Sequence, residues 1–253
     1  MSEEQATTGV IDEEERPAAD TGTASEVAPT APESAAQVHY RISRSIVVLS
    51  EPEGERAESI RALRAHLLAG HMAHGRRSLA VCGAGANSGS NFLAVNLAVA
   101  FAKADISTLL IDANISDAGV YDFLRPDRPL PGLRDILTGP DGADRQMIDN
   151  IRTDVLPNLS VIYSGIERRN STEVFASRQF KQLIDDCMRD HEITIVNTPA
   201  GGGSADVRRI AKSVRYALVV ARRNHTLMSE FRGLVEELES DRVNLIGTYL
   251  SDF

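Results

Sequence analysis

Residues 78–103 read SLAVCGAGANSGSNFLAVNLAVAFAK, and three patterns follow one another inside this stretch. Ser78 to Cys82 is a short run without polar alternation, as suits a strand buried on both faces. Gly83 to Gly89 (GAGANSG) is glycine-rich and marks a loop. Asn91 to Lys103 is almost wholly apolar and long enough to be a helix rather than a strand. A buried strand, a glycine-rich turn and a helix start bring successive backbone N–H groups and the positive end of a helix dipole together, which suits an anion. The spacing of Gly83, Gly85 and Gly89 permits such a cradle without naming the nucleotide.

Outward from this core, strands and helices alternate. Thr108 to Ile111 (TLLI) is a second apolar strand ending at Asp112, and helices are expected near 132–137, 177–189, 206–213 and 227–238. Strands are expected at 159–163, at 193–196 running into Asn197, at 216–221 and at 243–250. Upstream, Ala57, Ile60, Leu63, Leu67 and Leu68 recur at helical spacing over about 55–71, with Arg61 and Arg64 near the polar side. Continuous apolar strands separated by helices predict an α/β fold: a doubly wound, mostly parallel sheet with helices on both faces, ligands sitting at the carboxyl ends of the central strands. One domain over 39–253 accommodates the pattern.

Residues 1–38 differ in kind. Nine acids (Glu3, Glu4, Asp12, Glu13, Glu14, Glu15, Asp20, Glu26, Glu33) face one base, Arg16, and no aromatic precedes Tyr40. Such a segment cannot bury enough apolar surface to offset its ordering entropy, so a disordered acidic arm is expected. The arm accounts for most of the formal charge of -9, which leaves the folded part near neutral. Nucleic acid is therefore not an expected partner, since phosphate neutralisation needs a basic excess. Trp is absent and aromatics make up 5%, which argues against an aromatic stacking platform. Phe92 to Ala102, the longest apolar stretch, is too short for a bilayer that needs roughly 20 residues, and the amino-terminal residues Ser2, Glu3 and Glu4 do not resemble a secretory signal. Cys82 and Cys187 match no metal spacing and read as buried thiols of a reduced protein. His66, His71 and His74 lack acidic or Cys neighbours at ligand spacing and read as a solvated helix end; no metal site is expected.

The glycine loop by itself fits two chemistries. A P-loop wants Gly-Lys-Ser/Thr at its end; a dinucleotide-binding turn is loosely matched by Gly83-x-Gly85-x-x-x-Gly89 followed by a strand ending in Asp112. An oxidoreductase of the second kind lacks a recognisable acid/base pair here, since no tyrosine is followed four positions on by lysine.

Several segments in collinear order resemble the bacterial tyrosine kinases of capsule and exopolysaccharide assembly, a P-loop NTPase family. Glu58-x-x-Arg61-x-x-Arg64, within ESIRALRAHL, is similar to the helix those kinases use to form rings. VCGAGANSGSNFLAVNLAVAFA resembles their Walker A strand, loop and helix, and LLIDANI at 109–115 their second strand motif. GLRDILTG at 132–139, NLSVIYSG at 158–165, NSTEVFAS at 170–177 and ITIVNTPA at 193–200 fall in the family's order. The resemblance spans about 55–250 and implies a nucleotide site at Gly83, Gly85, Gly89, Ser90, Asn91, Asp112, Asn114 and Asn197. It also implies an oligomer interface at Glu58, Arg61 and Arg64, and an inner-membrane chain-length or export protein as partner, with the chain peripheral to that membrane.

Departures from the pattern fall within the nucleotide site. A working P-loop places a lysine on the β- and γ-phosphates, a hydroxyl on Mg²⁺ and an acid behind the metal. Here Ser90 stands for the lysine, Asn91 for the hydroxyl, Asn114 for a second acid and Asn197 for the Walker B acid, while Asp112 remains. Ser116, Asp117 and Ala118 replace an Arg-Arg-Pro run, and no tyrosine cluster closes the chain. The expectation is a kinase-like component of polysaccharide assembly that is catalytically inactive, binds no cofactor and works by assembling with itself or an active homologue. The alternatives are an active kinase or ATPase that uses ATP and Mg²⁺ at an unorthodox site, and a dinucleotide-dependent oxidoreductase. Tyr249 is expected in the core of the last strand.

Overall fold

The computed structural model describes residues 38–115, 119–138, 151–165, 174–201 and 204–252. The expected acidic arm lies outside these residues. In chain order the elements are β1 (Tyr40–Ile42), α1 (Val47–Ser50), α2 (Glu55–Gly70), β2 (Ser78–Gly83), α3 (Ser90–Ala102), β3 (Thr108–Asp112) and β4 (Leu124–Pro126). There follow α4 (Leu133–Thr138), β5 (Arg152–Leu156), β6 (Leu159–Ile162), α5 (Arg178–Asp190), β7 (Ile193–Ala200), α6 (Ala205–Val214), β8 (Tyr216–Arg222), α7 (Met228–Ser240) and β9 (Asn244–Ser251).

Seven strands form one sheet in the order β5-β6-β3-β7-β2-β8-β9, and β1 pairs with β4 in a separate two-stranded ribbon. All pairings in the large sheet are parallel except β5 with β6. β2 is buried along its whole length, and its side chains alternate between two cores: Leu79 and Val81 join one, Ala80 and Cys82 the other. The first core is roofed by α1, α2 and α3, the second by α4, α5, α6 and α7. Both thiols are free and buried, and burial pushes each up to about 12.

α3 is buried nearly all round because it lies between the sheet and α2. Its mid-helix carboxamide is used: Asn96 Oδ1 accepts from Val48 N at 3.4 Å while Nδ2 donates to Ser45 O and Phe92 O at 3.0 Å each, which holds α1 against α3. The chain leaves β2 toward β3 on one side and leaves β7 toward β8 on the other. β2 and β7 are adjacent in the sheet, so their carboxyl ends flank the crevice where doubly wound folds bind ligands.

Two expectations change. His71 is not solvated but 1% exposed, because α2 ends over the starts of β2 and β8; its Nε2 donates to Ser78 O at 2.9 Å and its ring meets Tyr216 edge-on at 4.8 Å. Tyr249 is half-buried: β9 is an edge strand, and the phenol hydroxyl lies 3.1 Å from Ser59 Oγ on α2.

Candidate functional site

The candidate site is built at the carboxyl ends of β2, β3 and β7. The loop from Gly83 to Gly89 turns out of β2 into α3, and Gly89 adopts a φ of 88°, a left-handed conformation open to glycine at little cost. Gly83 is required for a different reason, since a Cβ there would collide with Ser88 Oγ and lie 2.9 Å from Ser90 Oγ. Ser88 and Ser90 are 1% and 2% exposed, so both hydroxyls are packed under the loop rather than presented above it. Ser88 Oγ is buried without a hydrogen-bond partner.

Three sequence-predicted residues meet through their side chains. Asn197 Nδ2 donates to Asn91 Oδ1 at 3.0 Å and to Asp112 Oδ1 at 3.1 Å. A carboxylate only accepts, so the amide end of Asn197 must face Asp112. Asp112 Oδ1 also takes the backbone N–H of Asn114, and Oδ2 that of Val120, each at 3.2 Å. Asp112 and Asn197 are fully buried and Asn114 is 2% exposed. The carboxylate thereby ties the chain after β3 back onto the strand. Asn91 lies against Gly119, where any Cβ would collide with the carboxamide. Asn197 Oδ1 is buried without a partner.

Three further residues border the site with no motif to announce them. Glu230, on the first turn of α7, accepts from the N-cap N–H of Leu227 at 3.3 Å, and its Oε2 lies 2.6 Å from where a Cβ on Gly85 would sit. Ser251, at the end of β9, lies over Gly89. Arg134 is 5% exposed, and its Nη2 donates to Ile115 O at 3.3 Å while Nε and Nη1 are buried without partners. A charge pattern surveyed along the chain cannot single out Arg134, because its burial is decided by α4 folding back under Tyr163 and Ser164.

The residues of α2 divide. Glu58 and Arg61 form an i, i+3 ion pair on the outside, with Glu58 Oε2 2.6 Å from Arg61 Nη2, and Arg61 Nη1 also reaches Pro52 O. Arg64 turns inward and donates to Ala100 O at 2.8 Å, placing a cation on the last turn of α3. Among the described residues no helix is long and apolar enough to cross a membrane.

No family model matches the chain. Tyrosine-protein kinase ptk of Acinetobacter johnsonii is 28% identical over 195 residues, 77% of this chain and 26% of that protein. Tyrosine-protein kinase etk of Escherichia coli K12 is 26% identical over 215 residues, 85% of this chain and 29% of that protein. The solved kinase domain of Escherichia coli ETK superposes with a TM-score of 0.73 at 25% identity, covering 81% of this chain and 79% of that one. The septum site-determining protein MinD of Pyrococcus horikoshii, solved with Mg-ADP, shares the fold alone, with a TM-score of 0.56 at 16% identity over 69% of each chain. The chain spans about a quarter of the length of the curated relatives it matches first.

Proposed function

We propose that this chain, whose relatives are bacterial tyrosine kinases and whose fold is that of the P-loop NTPases, has given up phosphoryl transfer and works by assembly. It acts as a kinase-like component of capsule or exopolysaccharide export, held beneath an inner-membrane chain-length or export protein and joined to further copies or to an active homologue. The observation that carries the first half is the occupation of Asp112: both carboxylate oxygens are spent on Asn197, Asn114 and Val120 within the chain.

Mg²⁺-ATP does not fit the residues present. Ser90 offers no ammonium for the β- and γ-phosphates, the Asn91 oxygen is taken by Asn197, and Asn197 brings a carboxamide where hard Mg²⁺ favours a charged oxygen. A hydrogen bond to a charged group contributes roughly 1.5–3 kcal/mol, and each 1.36 kcal/mol of transition-state stabilisation is about tenfold in rate. The missing groups together account for several orders of magnitude of transfer rate. The second half rests on the resemblance of the Glu58, Arg61 and Arg64 helix to a ring-forming one, and on the outward position of the Glu58–Arg61 pair.

The chain incubated with ATP and Mg²⁺ is expected to keep its intact mass, and phosphate added to any tyrosine in the absence of another kinase overturns the reading. Sedimentation with the doubly substituted Glu58→Ala, Arg61→Ala chain tests assembly: a lower oligomer than the parent supports it, and an identical profile removes α2 from the interface.

One observation favours the alternative enzyme. Arg134 is a buried cation with spare donors at the ligand-bearing edge of the sheet, and an active site lacking its lysine would need such a charge. Under that reading Arg134→Ala abolishes whatever ATP turnover the parent shows.

A further inference from the structure

A polar cavity opens at the amino ends of the strands, where β2, β8 and β9 begin. It has a volume of about 200 Å³ and is lined by His66, Gly70, His71, Arg76, Tyr216 and Asn244, with the two residues that follow in β9. A water occupies roughly 30 Å³ of liquid and ligand pockets run from about 300 to 1,000 Å³, so this space suits an ion or a molecule of a few carbons, not a nucleotide.

The lining carries one permanent cation, two imidazoles and a carboxamide, and no Asp or Glu. The guanidinium of Arg76 stacks 5.2 Å from the Tyr216 ring centroid and forms no ion pair with any carboxylate among the described residues. Its position is set by an aromatic face and its charge is left uncompensated. His71, in the same wall, gives its Nε2 proton to Ser78 O, which leaves Nδ1 as an acceptor that is buried and has no partner. The negative end of the α2 dipole lies close by, and two of its last four carbonyls are hydrogen-bonded: Leu67 O by His71 N and Gly70 O by His74 Nδ1, each at 2.8 Å.

We propose that this cavity binds a small oxyanion, the phosphate or carboxylate group of a compact molecule. Arg76 supplies the charge, and His66 and Asn244 supply further donors. An occupant bridges the carboxyl end of α2 to the starts of β8 and β9, far from the glycine loop, so the inference stands apart from the fate of phosphoryl transfer.

The test is a titration of the histidine ring signals of the full chain by ¹³C–¹H NMR, at constant ionic strength, with phosphate, with acetate and with chloride as the screening control. Saturable shifts of the His66 and His71 signals with phosphate, acetate or both are expected, and which salt acts identifies the ligand class. Arg76→Ala, at an exposed position, is expected to weaken that binding at least about tenfold, the loss of one charge-assisted contact. Chloride shifting the signals as far as either oxyanion, or Arg76→Ala titrating like the parent, overturns the assignment. Response to neither salt also overturns it, and shifts on adding polyglutamate instead make the cavity a protein-docking feature.

Discussion

The Nδ2 of Asn197 donates to Asp112 Oδ1 across 3.1 Å, joining the carboxyl end of β7 to that of β3 with both residues fully buried. A carboxylate at position 197 would face another carboxylate at hydrogen-bond distance. Two such groups in a dry site cannot both ionise, so one titrates upward or the fold gives way. Asn197→Asp alone is expected to lower stability at neutral pH by about 3–5 kcal/mol, the scale of an uncompensated buried charge, and to recover part of it as acid protonates the pair. Urea unfolding at two pH values measures this; an unchanged midpoint at pH 7 means that the network is not as described.

Removing the other partner tests the structural role of the carboxylate. Asp112→Ala strands the buried N–H groups of Asn114 and Val120 and one N–H of the Asn197 amide, whose other bond to Asn91 Oδ1 remains. The expected cost is at least about 3 kcal/mol, since leaving one buried donor unsatisfied costs roughly 1–3 kcal/mol. Thermal unfolding of the variant reads it directly, and a loss below about 1 kcal/mol contradicts the role.

The loop glycines differ in what they tolerate. A Cβ on Gly83 meets the packed hydroxyls of Ser88 and Ser90, which have nowhere to go, whereas a Cβ on Gly85 meets only Glu230, which is exposed and can swing away. Gly83→Ala is expected to cost about 1–3 kcal/mol, as overpacking does, and Gly85→Ala clearly less. Equal losses in the two variants contradict the packing.

Acid sensitivity should trace to buried imidazoles. Burial is the main cause that lowers the pKa of His71 and of His191 below the usual 6.5, with Arg76 adding to the effect at His71. Between the lowered folded value and 6.5 the unfolded chain binds more protons, so stability rises with pH through that window and levels off above it. His71→Gln is expected to flatten the slope just below pH 6.5, leaving the share due to His191. A slope unchanged in the variant places the sensitivity elsewhere.

Much of the architecture could be read along the chain. The strands at 78–83, 108–112, 193–200 and 216–222 carry continuous apolar runs because both their faces are covered, and the helices between them show matching length and periodicity. Short elements fixed by distant partners escaped. Tyr40–Ile42 pairs with Leu124–Pro126, more than eighty positions away, and neither triplet has a local pattern to betray it. Side-chain direction escaped for the same reason: Arg64 reads as part of a polar face but reaches Ala100, and His71 reads as solvated but lies under Tyr216. The meeting of Asn91, Asp112 and Asn197 was legible only through the collinear motif pattern, since nothing local brings positions so far apart together. Glu230 over Gly85 and the buried Arg134 had no such pattern behind them.

On the function proposed above, a glycine cradle without its ammonium and with its one carboxylate bound internally does not hold a metal-nucleotide. Calorimetric titration of the full chain with ATP in the presence of Mg²⁺ tests this most directly. No saturable heat is expected for the parent, and a gain on introducing Ser90→Lys, Asn91→Thr and Asn197→Asp together. Binding of Mg²⁺-ATP to the unaltered chain at micromolar affinity, lost in Asp112→Asn, would contradict it.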